Sequence, residues 1–122
     1  MFSTDLYIKI YPNKIVARNI SSGKTAEVTP ESPYLHPRLL IGNIDSAERA
    51  MVSAMRLVRS SIPSIRVRIL IHPIAEFPGG ISTAEERLFR MLAFDARAGQ
   101  VILWVGSELS DEQVLVKIRS AK

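Results

Sequence analysis

The stretch SIRVRILIHPIAEFPGGISTAEERLFRMLAFDARAGQVILWVG, residues 64–106, decides the fold. Ile65, Val67, Ile69 and Ile71 alternate with Arg66, Arg68, Leu70 and His72, which predicts a strand with one firmly apolar face. Ser82-Thr83-Ala84-Glu85 has the spacing of a capping box, in which the hydroxyl and the carboxylate each satisfy a free amide of a helix start. A helix is expected from there to Ala98, with Gly99 as a left-handed cap. Val101-Ile102-Leu103-Trp104-Val105 is an unbroken apolar run, as expected of a strand buried on both faces. Two strands joined by one helix predict a βαβ crossover and a parallel sheet.

Working outward, Leu6, Ile8 and Ile10 alternate with Tyr7, Lys9 and Tyr11 and predict a first strand. Pro12-Asn13-Lys14 is a turn, residues 15–20 a returning strand, Ser21-Ser22-Gly23-Lys24 a second turn, and residues 25–28 a short third strand. Pro30, Pro33 and Pro37 make residues 29–43 a long connection, with Leu39-Leu40-Ile41 expected to dock on the core. Asp45 with Glu48, or Ser46, can then cap a helix. Ile44, Ala47, Met51, Met55, Val58 and Ile62 supply its buried stripe, and Arg49, Arg56 and Arg59 face solvent. Ser60 to Pro63 ends that helix. Ser110 to Gln113 opens a last helix, with acids in its first turn and Lys117, Arg119 and Lys122 near its end, complementing the helix dipole. The order is β-β-β-α-β-α-β-α, an α/β domain with a mixed sheet over residues 1–122.

Composition excludes several chemistries. With 122 residues and no cysteine the chain is one domain without disulfides or thiolate metal sites. Two histidines without a close-spaced acid cluster make a zinc site improbable. The start lacks a signal-peptide pattern and no run reaches the ~20 apolar residues of a membrane span, so a cytoplasmic protein is the expectation. Net charge +4 permits an acidic partner or nucleic acid without demanding either.

Met1-Phe2-Ser3-Thr4-Asp5-Leu6-Tyr7-Ile8 resembles the opening of the bacterial rod-shape actin homologue MreB. Leu39 to Arg49 is similar to that family's entry into its first long helix. Arg66 to Pro73, with Ala84-Glu85-Glu86-Arg87, is similar to its next strand and helix, and Gln100 to Trp104 matches the following strand. The short length and Arg38-Leu39-Leu40-Ile41 look more like the small YjaA-type stress-response proteins, which resemble a cut-down first domain of MreB. The resemblance covers roughly residues 1–118 and implies a ribonuclease-H-like or actin-like half. In that family an aspartate and a Gly-Thr turn close the first strand and hold metal and phosphates. Here Lys9 stands in place of the aspartate, Tyr11-Pro12 replace Gly-Thr, and Asn43 stands where MreB carries another aspartate. The second phosphate loop and the adenosine-binding half would fall beyond the last residue. Proline offers no amide hydrogen and tyrosine blocks the close approach that glycine allows. These departures argue against an ATPase, and Lys9 argues equally against two-metal nuclease chemistry.

The remaining candidates are interaction residues. His72 ends a strand at the edge where open sheets bind ligands, with Glu76 in the following loop. A His–Glu pair could serve as base and orienter, but no nucleophile signature accompanies it, and a strand-end histidine bonded to backbone is the commoner outcome. His36 has less support still. Phe77-Pro78-Gly79-Gly80 precedes a helix start and could hold an anion, yet Ile81-Ser82-Thr83 lacks the lysine of a phosphate loop. A flexible turn is the simpler reading, and the two glycines could equally admit a partner chain. Arg56, Arg59, Arg66 and Arg68 could form one basic patch, but without interleaved aromatics a solvated face is the commoner outcome. Trp104 reads as core rather than as a ligand platform.

Two function classes follow. The first is a non-catalytic protein, without cofactor or metal, that self-associates or docks on a protein partner in stress response or cell shape. The second is a small-molecule or nucleic-acid binding module that uses a strand-end crevice near Tyr11, His72, Gly79 and Gly106. The first is preferred.

Overall fold

Eight elements alternate as the apolar spacing predicts. The computed structural model describes residues 3–31, 44–59, 66–96 and 98–121. The strands are β1 (Ser3–Ile10), β2 (Ile15–Asn19), β3 (Thr25–Val28), β4 (Arg66–Pro73) and β5 (Gln100–Leu103). The helices are α1 (Ile44–Val58), α2 (Thr83–Asp95) and α3 (Asp111–Ser120). They build one five-stranded mixed sheet in the order β3-β2-β1-β4-β5. Both hairpin pairings of β2 are antiparallel, and β1 pairs with β4, and β4 with β5, in parallel. Only β2 therefore runs against the other strands.

The two faces of this sheet have different cover. Leu6, Ile8, Ile10, Ile15, Ala17, Ile69 and Ile71 point to one face and pack against α1 and α2 through Ala47, Met51, Val58, Phe89 and Leu92. Ser46, Ala50 and Ala54 are buried beside the expected α1 stripe, because small side chains let the helix lie close to the strands. Tyr7 and Leu70 point to the other face, where α3 covers them with Val114 and Ile118. Two interleaved periodicities thus bury two layers. Both α2 and α3 start with the capping boxes read from the sequence, Ser82 with Glu85 and Ser110 with Gln113.

Several expectations need correction. The 101–105 run is not a strand buried on both faces. β5 stops at Leu103, forms the sheet edge, and leaves Ile102, Leu103 and Trp104 half-buried and Val105 exposed, since an edge strand has a neighbour on one side only. Trp104 packs at the rim of the α3 cluster, with the Lys117 ammonium 3.8 Å from its ring centroid. The α2 helix ends at Asp95 with Ala96 as cap, not at Ala98. Beyond it Ala98 donates to the Ala93 carbonyl, and Gly99 is not in the left-handed region. Its amide instead donates to the Val67 carbonyl at 2.7 Å, which aligns the start of β5 on β4. Because α1 begins at Ile44, Asp45 and Ser46 lie inside its first turn rather than capping it. His36, Leu39-Leu40-Ile41, Asn43 and Ile62 fall outside the described residues.

Candidate functional site

In open sheets of this kind ligands bind beyond the carboxyl ends of the parallel strands. Here those ends are Ile10 of β1 and Pro73 of β4, which are register partners. Alternation along each strand sends Tyr7, Lys9, Leu70 and His72 to the α3 face, so the last polar residues of both strands meet there.

His72 has no solvent exposure and both of its ring nitrogens are engaged. Nε2 lies 2.9 Å from the Gly106 carbonyl oxygen and Nδ1 lies 2.7 Å from the Tyr7 hydroxyl. A carbonyl can only accept, which assigns the proton of the neutral imidazole to Nε2. Nδ1 then accepts from the Tyr7 O–H, and the Tyr7 oxygen in turn accepts from the Leu109 amide at 3.1 Å. The chain of bonds runs Leu109 to Tyr7 to His72 to Gly106 and pins the segment between β5 and α3 onto the sheet. Burial pushes the His72 imidazole below its ordinary pKa, against the opposing pull of the Gly106 bond and Glu108. Burial likewise raises Tyr7.

Beside this buried chain lies an exposed one. The Glu108 carboxylate accepts from Lys9 Nζ at 3.1 Å and from the Tyr11 hydroxyl at 2.9 Å. The hydrogen bond from Lys9, then that from Tyr11, lowers the Glu108 pKa, while burial followed by the bond to Glu108 raises Tyr11. Lys14 Nζ lies 4.8 Å from the Tyr11 ring centroid and pairs with Glu27. Lys9 with Glu108 and Lys14 with Glu27 thus form two ion pairs at these strand ends. Gly106 makes the fold-back feasible: its φ is +151°, and a Cβ there would lie 2.8 Å from the Trp104 ring.

The sequence candidates therefore separate. Tyr11, His72, Glu76, Gly79 and Gly80 lie at or beyond the carboxyl end. The His72 ring is engaged by Tyr7 and Gly106 rather than by Glu76, which removes the base-and-orienter reading of that pair. Gly79 and Gly80 adopt φ of +78° and +83° in a turn closed by the Gly80 amide on the Phe77 carbonyl, with open space where each Cβ would be. The turn shape itself calls for them there. Arg56, Arg59, Arg66 and Arg68 lie at the opposite, amino end, and they do not form one patch. Arg68 turns to the α3 face and makes a bidentate pair with the buried Asp5, at 2.6 and 2.9 Å, with a further bond to Ser3. Arg56, Arg59 and Arg66 are exposed.

Sequence reasoning missed Glu108, Tyr7, Asp111 and Asn19. Asp111 holds the Arg18 guanidinium through two bonds of 2.8 Å, which raises the Arg18 pKa and lowers its own. Asn19, 1% exposed, donates to the terminal α1 carbonyl of Val58 and accepts from the amides of Ser21 and Ser22. Among the described residues no three histidine, cysteine, aspartate or glutamate side chains gather as a metal site. No helix among them is long and apolar enough to cross a membrane.

No family model matches the chain. A similar protein is the Escherichia coli (strain K12) uncharacterized protein YjaA, 30% identical over 89 residues, which span 68% of each chain.

Proposed function

The chain belongs to the family of Escherichia coli YjaA, and from that premise we propose that it is a non-catalytic interaction protein, a degenerate MreB-like domain without a nucleotide site. The strand order β3-β2-β1-β4-β5 with β2 alone reversed supports a ribonuclease-H-like or actin-like half. The setting we assign to it is stress response or cell shape, in the cytoplasm, on the strength of the same resemblance.

One observation carries the reading: the polar groups at the carboxyl ends of β1 and β4 are consumed by the chain itself. Lys9 stands where a metal-holding aspartate would be needed and is neutralised by Glu108. Tyr11-Pro12 removes one amide, and the Tyr11 amide that remains donates to Lys14 in the hairpin turn. Phosphoryl chemistry works through phosphate-facing amides and metal-bound carboxylates, and both are otherwise engaged or absent at these positions.

Thermal unfolding with and without ATP, ADP and magnesium tests this. A ligand at a hundredfold excess over its dissociation constant adds roughly 2.7 kcal/mol, enough to move the midpoint by several degrees. The expected result is no shift and no phosphate release. A clear shift would instead support the small-molecule module.

A further inference from the structure

All three helices end at the amino edge of the parallel strands. Asn19 at the end of β2 holds the last carbonyl of α1, the Gly99 amide after α2 is bonded to β4 at Val67, and Gln100 Nε2 reaches the Ala121 carbonyl after α3. Around this edge Arg56, Arg59 and Arg66 are exposed, and among the described residues none of them has a carboxylate within ion-pair distance. Arg56 complements the α1 dipole, which uses its charge but leaves its donors open. Large apolar side chains are exposed toward the same edge: Leu57 at 64%, Phe94 at 53% and Met91 at 41%. Leu57 and Phe94 belong to the last turns of α1 and α2 and Met91 to the turn before, on helices whose inward faces are already spent on the core.

Resting on the interaction-protein reading above, we propose that this amino end is a docking surface for an acidic, amphipathic segment of a partner protein. Charge complementarity selects carboxylates, because three guanidinium groups lack them. The composition selects a protein: arginine, phenylalanine and methionine are enriched in protein interfaces, and lysine is depleted there. A membrane surface would call for a continuous helical apolar face over a basic one. Here the apolar groups come from two helices whose continuous apolar faces are buried. A second copy meeting this edge symmetrically would set guanidinium against guanidinium.

The test is a fluorescence-anisotropy titration of the full chain with a synthetic helix of about 18 residues, glutamates beside a leucine stripe. Its lysine-for-glutamate counterpart and phosphatidylglycerol vesicles are titrated in parallel. Binding of the acidic helix alone is expected, weakening as ionic strength rises from low salt to about 0.15 M. Arg59→Gln with Arg66→Gln should weaken it about tenfold, and Leu57→Ser with Phe94→Ser by at least as much. These positions are exposed, so an unchanged melting midpoint shows that the variants are folded. Equal binding of the lysine helix, or vesicle binding without helix binding, overturns the proposal. So does helix binding that survives both double variants. If that surviving binding is lost in Lys14→Gln instead, the surface is wrong while the interaction reading stands. A nucleotide-dependent melting shift would remove the reading itself.

Discussion

At the carboxyl end of the sheet Lys9 and His72 meet Glu108, Tyr7 and Gly106 within hydrogen-bond distance, whereas toward the amino end Arg59, Arg66, Leu57 and Phe94 are exposed. The first end resembles a ligand site in its position and residue types, yet its donors and acceptors are matched inside the chain. At the second end, among the described residues, Arg56, Arg59 and Arg66 lack a carboxylate within ion-pair distance, and Leu57 and Phe94 are exposed. Position in a fold thus says where a ligand would bind; the pairing of polar groups says whether a place is left for one. On the proposed reading the carboxyl end serves stability and the amino end recognition, and substitutions can break that division.

The largest effect should come from His72→Ala. It opens a cavity in a site with no exposure and strips Tyr7 and Gly106 of a partner, an expected loss of about 3 kcal/mol in chemical denaturation. A loss below ~1 kcal/mol would show that the Tyr7–His72 chain does not hold the fold together. Tyr7→Phe keeps the ring and deletes the hydroxyl shared by His72 and Leu109, costing about 2 kcal/mol.

Acidification probes the same chain through the sign of the His72 shift. Its folded pKa lies below the ordinary 6.5, so below that pH the unfolded state takes up a proton that the folded state refuses. Stability should fall as pH drops from 6.5 toward the lowered folded value and then level off, by at most about 1.4 kcal/mol per pH unit. Lys9 opposes that protonation and Glu108 favours it, while Tyr7 must turn its hydroxyl away. The depressed carboxylates Glu108 and Asp111 lose their contribution only at lower pH, below 4.5 and 3.8. His72→Gln should flatten the upper window and leave the lower one. A wild-type slope that persists in His72→Gln would place the titration elsewhere.

Smaller effects sharpen the contrast. Glu108→Gln breaks an ion pair whose carboxylate is 58% exposed, and solvent screening limits the loss to roughly 0.5 kcal/mol. Arg59→Gln should leave stability within about 0.5 kcal/mol while lowering affinity for an acidic partner. A stability loss well beyond that would make Arg59 a structural residue.

Much of this fold was legible because it rests on local signals. The Ser82 and Ser110 capping boxes, the β1 and β4 alternation and the α1 stripe are written within a few residues of each other. Misreadings arose where the answer depends on neighbours in space. The 101–105 run has the apolar character of a central strand, but only the sheet order places it at an edge. Gly99 follows a helix as a cap would, but its amide is claimed by β4. The carboxyl-end cluster was half visible: His72 and Tyr11 are strand-end residues, while Glu108 lies 99 residues from Lys9 and no spacing rule joins them. Arg68 illustrates the same limit, since only the parallel register sets it opposite Asp5.

Backbone amide chemical-shift mapping on the full chain tests the division between the two ends most directly, with magnesium-ATP and the acidic helix added in separate titrations. Nucleotide should leave the spectrum unchanged, and the helix should move the amides of Arg59, Arg66 and Phe94 while those of Lys9, His72 and Gly106 stay fixed. Shifts centred on Lys9, His72 and Gly106 with either addition would contradict the account, because they would show that the carboxyl end opens to a ligand.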